Sequence, residues 1–101
     1  MYNVLIVDDD FALRYILKRF HWKDYNFNII AEASDGKEAL EIINKLNIDL
    51  VITDIRMPGM DGIELISQIN KQYSNIGIIL LSTYNDFEYA QQAFAMEYWT
   101  I

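Results

Sequence analysis

Cysteine is absent from all 101 residues, so disulfides and thiolate metal sites are excluded. Basic residues are scarce: eight Lys and Arg stand against fifteen Asp and Glu, for a net charge of −7. That balance argues against a nucleic-acid surface, which needs clustered Lys and Arg. No low-complexity segment, linker or domain-length repeat interrupts the chain. No long apolar run is present either. The N-terminus enters a strand-like stretch, Tyr2–Val7, too short for a signal peptide or a membrane span. These absences predict a single cytoplasmic domain, with no membrane association and no direct nucleic-acid binding.

What is there is an apolar, alternating chain. Hydrophobic residues make up 52%, ample for a core even at this small size. Tyr2–Val7 predicts a first strand. Leu13, Ile16, Leu17 and Phe20 recur at helical spacing and predict a helix over Phe11–Phe20. A polar and aromatic connection, His21–Asn26, leads to a second strand, Phe27–Ala33. Asp35 with Glu38 has the form of a capping box, opening a helix that faces inward through Ala39, Leu40, Ile43 and Leu46. The third strand is Asp49–Thr53. Asp61 with Glu64 repeats the box and starts a helix using Ile63, Ile66, Ile69 and Tyr73. Ile76–Leu81, unbroken and apolar, fits a strand buried on both faces of a parallel sheet. Asn85 with Glu88 is a third box, opening a helix through Phe94. Four β-α repeats predict an α/β doubly wound sheet.

Two strands end in acids. Val4–Val7 runs into Asp8-Asp9-Asp10, and Leu50–Thr53 runs into Asp54, beside the turn Pro58-Gly59. In open α/β sheets ligands sit beyond the carboxyl ends of strands, where strand order reverses; for order 2-1-3-4 that point lies between strands one and three. Carboxylates converging there repel one another, and a hard cation relieves the repulsion. Mg²⁺ suits such a site, since it accepts one or two carboxylates and binds phosphate oxygens. Asp54 is then a candidate nucleophile toward phosphorus. Ser82, at the exit of the fourth strand, is placed to offer a hydroxyl to the phosphoryl group, with Thr83 the neighbouring choice.

The segments VLIVDDD, SDGKEALEII, DLVITDIRMPGMDG and IILLSTYNDFEYA, in that order and spacing, resemble the receiver domain of two-component response regulators. FHWKDYNF and YNDFEYAQQAF are similar to the subgroup joined to AraC-type helix-turn-helix output domains. The resemblance implies a flavodoxin-like receiver fold over residues 1–101 and phosphorelay signalling. It makes Asp54 the phosphoacceptor from a sensor histidine kinase. Asp9, Asp54 and the Arg56 backbone carbonyl become direct Mg²⁺ ligands, Asp8 assists through water, and Ser82 becomes the phosphoryl-contacting hydroxyl. Such a domain phosphorylates itself rather than turning over substrate, and controls a DNA-binding output domain in transcription. The family's Lys near the end of strand five lies beyond Ile101, and the slot of its aromatic switch residue falls at about Ile101. Strand five is therefore expected to be incomplete, with helix five and the output domain missing. Met96–Ile101 is expected to dock, with Tyr98 and Trp99 as anchors, on its own sheet or in a homodimer.

Other readings compete. Asp8-Asp9-Asp10 contains the D-x-D pattern of haloacid-dehalogenase-like phosphatases, using Asp8 and Asp10, although Phe11 and Ala12 follow where that pattern expects Thr or Val. An inactive interaction fragment is a third reading. Asp10 alone serves well as a helix cap. Asp54 alone is an ordinary turn residue. His21, the single histidine, reads as a surface residue, and the Arg56 side chain as pointing to solvent.

Overall fold

The computed structural model describes residues 1–81 and the backbone of residues 99–100. Its sheet has the order β2-β1-β3-β4-β5, all parallel. The strands are β1 (Tyr2–Val7), β2 (Phe27–Ala33), β3 (Leu50–Asp54), β4 (Gly77–Leu81) and a two-residue β5 (Trp99–Thr100). The helices are α1 (Phe11–Lys18), α2 (Gly36–Lys45) and α3 (Gly62–Gln72). The 2-1-3-4 order expected from the sequence is the one observed, and the fifth strand is short.

Side-chain alternation along the central strands divides the core into two layers. Leu5 and Val7 of β1, Val51 of β3, and Ile78 and Leu80 of β4 face α2 and α3. They meet Ala39 and Ile43 of α2 and Ile63, Leu65, Ile66 and Ile69 of α3. Val4, Ile6, Leu50 and Ile52 face the other way, toward Leu17 of α1 and Trp22. Strands buried on both sides read as continuous apolar runs, which is why VLIV and LVI carry no polar alternation.

Each of α1, α2 and α3 starts where a side chain satisfies open N–H groups. Asp10 accepts from Ala12 N and Leu13 N, at 2.9 and 3.4 Å. Asp35 accepts from Glu38 N at 2.8 Å, and Asp61 from Glu64 N at 2.9 Å. Glu38 does not return its carboxylate to the cap residue; it accepts from Ser34 N one position earlier, at 2.7 Å.

The first helix departs from expectation in two ways. It ends at Lys18 rather than Phe20, because Arg19 N and Phe20 N turn back to Ile16 O and Leu17 O. The Trp22 indole also donates to Leu17 O, at 2.7 Å. A 3₁₀ turn, Trp22–Tyr25, follows, with Phe20 edge-on to Trp22 and stacked on Tyr25. Second, much of the expected apolar stripe is exposed: Ile16 by 62% and Phe20 by 53%, with Leu13 also open; only Leu17 packs inward. Elsewhere the boundaries move by one residue: β3 begins at Leu50 and includes Asp54, and β4 begins at Gly77. Leu46 is the α2 C-cap and is exposed rather than inward-facing.

The β1–β2 ladder is irregular. Val4 pairs with Ile29 and Leu5 with Ala31, which leaves Ile30 unpaired as a bulge. On the opposite edge Ile79 and Leu80 pair with Trp99 and Thr100, so the expected docking of the 96–101 segment is met by these two residues, on the chain's own sheet. The expected helix over 85–94, the hydroxyls of Ser82 and Thr83, and the Tyr98 and Trp99 side chains lie outside the described residues.

Candidate functional site

The carboxyl ends of β1 and β3 are neighbours, because Val7 pairs with Thr53. The next residues, Asp8 and Asp54, therefore leave the sheet side by side. Asp8, Asp9 and Asp54 each place a carboxylate oxygen within 4.8 Å of the others. Asp10, the other half of the D-x-D pattern, is turned to α1 as its cap instead.

Asp8 is buried and tied at nearly every polar atom. Its N–H donates to Ala33 O at 3.0 Å, its Oδ1 accepts from Asp10 N at 2.9 Å, and its carbonyl accepts from the Arg14 guanidinium. Its Oδ2 is buried with no hydrogen-bond partner. Burial pushes the Asp8 carboxyl above the usual carboxylate range; the Asp10 N–H opposes this, and the negative charges of Asp54 and Asp9 add to the rise. A buried carboxylate oxygen without a donor, on a residue grouped with two further carboxylates, suits a hard divalent cation.

Asp54 is half-buried, and its Oδ1 accepts from Ile55 N at 2.8 Å, which fixes the side chain over its own turn. The loop after it is anchored by burial of Ile55 and Met57. Two close backbone contacts hold it further. Gly62 N donates to Ile55 O at 2.7 Å, and Gly36 N to Met60 O at 3.2 Å. A Cβ on Gly62 would stand 2.1 Å from the Asp54 carbonyl oxygen, so only glycine lets α3 begin there. Gly59 holds φ at 72°, the left-handed conformation its turn needs. Arg56 is exposed, as expected.

The family model for the response regulator receiver domain matches residues 4–101. The chain belongs to the response regulator receiver family. The transcriptional regulatory protein HptR of Staphylococcus aureus is 46% identical over 90 residues, which are 88% of this chain and 35% of that protein. This receiver domain thus spans about a third of the length of such relatives. Among solved structures, the receiver domain of AraT, a response regulator from Geobacillus stearothermophilus, superposes with a TM-score of 0.87 at 33% identity, covering 98% of this chain and 80% of that one. A two-component transcriptional regulator AraC from Clostridium phytofermentans gives 0.87 at 38% identity, covering 99% and 81%. TrrA of Thermotoga maritima, solved in complex with Mg²⁺-BeF, gives 0.80 at 35% identity, covering 100% and 87%. No described helix of this receiver is long and apolar enough to cross a membrane.

Two site neighbours were not foreseen from the sequence. Arg14 reaches back from α1 to the Asp8 carbonyl and pairs with Glu32 at 3.2 Å. Lys18 also meets Glu32, at 2.8 Å. The Lys18 contact first, then Arg14, hold the Glu32 carboxyl below its usual range against its partial burial. A helical residue bonded to a site carbonyl leaves no local pattern, since it depends on a partner in another strand.

Proposed function

We propose that this receiver accepts a phosphoryl group on Asp54 from a phosphohistidine of a sensor kinase. In that step an Asp54 carboxylate oxygen attacks phosphorus, the bond from phosphorus to the imidazole nitrogen breaks, and the released imidazole takes a proton from solvent. The product is an acyl phosphate on Asp54. Asp8, Asp9 and Asp54, with the Arg56 carbonyl, would hold Mg²⁺, which neutralises charge on the transferring group. Asp8 serves as a fixed, buried ligand and Asp9 as an exposed one. Ser82 directly follows Leu81, the register partner of Asp54, and is assigned the hydroxyl that binds the transferred group.

The observation that carries this reading is the meeting of three carboxylates at the β1–β3 exit around the buried, partnerless Asp8 Oδ2. The phosphatase reading loses Asp10 to helix capping and is not favoured. By similarity to the transcriptional regulators above, the phosphorylated domain acts in the cytoplasm on a DNA-binding output domain. The test is incubation with acetyl phosphate and Mg²⁺, read by intact mass. The wild-type chain is expected to gain one hydroxylamine-labile phosphoryl group and Asp54→Asn none. Equal labelling of both would move the nucleophile elsewhere.

A further inference from the structure

Arg14 stands next to an acidic cluster yet is paired elsewhere. An arginine beside three carboxylates would ordinarily fork onto one of them, because the planar guanidinium matches a carboxylate bidentately. That pairing would occupy the oxygens a cation needs. Here the guanidinium Nε is engaged by Glu32 of β2, at 3.2 Å. Glu32 itself is held by Lys18 at 2.8 Å. What remains of the Arg14 fork is directed to a neutral group, the Asp8 carbonyl.

That carbonyl belongs to the peptide joining Asp8 to Asp9. Ala33 O fixes the N–H at the start of Asp8, and Asp10 N fixes its Oδ1. The Arg14 guanidinium adds a third tie, on the carbonyl of the peptide that leads into the exposed Asp9. Packing adds less restraint there, since no residue of α1 is fully buried and Leu17 alone packs inward.

We propose that Arg14 is a positioning residue for cation binding: tethered by Glu32, it orients the Asp8–Asp9 peptide and is withheld from the carboxylates. This rests on the reading of Asp8, Asp9 and Asp54 as Mg²⁺ ligands. Arg14 touches neither cation nor phosphoryl group; it acts through the main chain of Asp8.

The experiment is Mg²⁺ titration by calorimetry, with melting measured in parallel in chelator. The chains compared are wild type, Arg14→Met, Arg14→Lys, Glu32→Gln and Asp9→Asn. Arg14→Met is expected to weaken Mg²⁺ binding by about tenfold, the usual scale for groups that orient metal ligands. Arg14→Lys, which keeps the charge but not the fork, is expected to fall between wild type and Met. Glu32→Gln is expected to weaken binding with Arg14 still present. These losses should not track the chelator melting temperatures, which a purely structural role would require. If Arg14→Met does not fold, Arg14→Lys and Glu32→Gln carry the test. Wild-type Mg²⁺ affinity in the folded Arg14 and Glu32 variants, with Asp9→Asn impaired, would overturn the positioning role alone. Wild-type affinity in Asp9→Asn would overturn the ligand assignment beneath it.

Discussion

The two arms of the acidic site are mounted differently. Asp54 ends β3, and the loop after it is fixed by apolar burial and by two glycine contacts, Gly62 to Ile55 and Gly36 to Met60, beside helices that bury one face in the core. Asp8 and Asp9 lead into α1, which has no fully buried residue, packs inward through Leu17 alone and is tied by polar contacts of Arg14, Lys18 and Glu32. The mount of Asp54 therefore resists by close packing, which is steep and depends little on pH. The arm of Asp8 and Asp9 resists by charged hydrogen bonds at a partly exposed surface, which are weaker and sensitive to pH and salt.

Substitutions on each side separate the two. Ile66 is fully buried beneath α3, and Ile66→Ala is expected to cost about 4 kcal/mol by removing its transfer energy and leaving a cavity. Urea denaturation measures it; a cost under about 1 kcal/mol would erase the contrast. Gly62→Ala forces a backbone shift at Asp54. We expect about 3 kcal/mol of destabilisation and, through displacement of Asp54 as the proposed nucleophile, a phosphorylation rate lower on the order of 100-fold. Labelling at the wild-type rate would show that the loop gives way without moving Asp54.

The arm of Asp8 and Asp9 should respond to pH instead. Glu32 is held below its unfolded value near 4.5, so its contribution is complete above that value and is lost as pH falls through the lower folded value. The melting-temperature gap between wild type and Glu32→Gln is expected to be widest at neutral pH and to close in acid. A gap independent of pH would assign the effect to shape rather than charge. Smallest of all, Ile16→Ala on the open face of α1 should stay within about 0.5 kcal/mol of wild type. A larger loss would mean that something covers this face in solution.

The same contrast explains what the sequence made legible. The caps at Asp35 and Asp61 and the strand runs are local signals, a carboxylate before a helix or an acid at the end of an apolar run; the convergence of Asp8 and Asp9 with Asp54 follows from those strand ends through the 2-1-3-4 order. Helical spacing correctly made Ile63, Ile66 and Ile69 an inward face. The same spacing in Leu13, Ile16, Leu17 and Phe20 defines a stripe but not what lies against it, and only Leu17 found the core. The end of α1 was misplaced because the Trp22 indole, four residues beyond the last helical residue, takes the Leu17 carbonyl. Arg14 and Glu32 are 18 residues apart, with a helix end, a turn and most of a strand between them. Neither residue carries any mark of the other.

A strand presents its residues to alternate sides, so the unpaired Ile30 in β2 acts on the sheet as an inserted base acts on a reading frame. Before it, Phe27 and Ile29 fall on the side of Val4; after it, Ala31 and Ala33 fall on the side of Leu5 and Val7. The slip gives α2 two small neighbours and delivers Glu32, paired with Ile6, to the side where Arg14 and Lys18 wait. In an unslipped β2 the same glutamate would aim into the oily layer beneath α2, and both cations would lose their counterion. Deleting Ile30 would flatten the bulge yet keep Ala31, Glu32 and Ala33 opposite Leu5, Ile6 and Val7, whereas pairing Ile30 with Leu5 would turn the whole second half over.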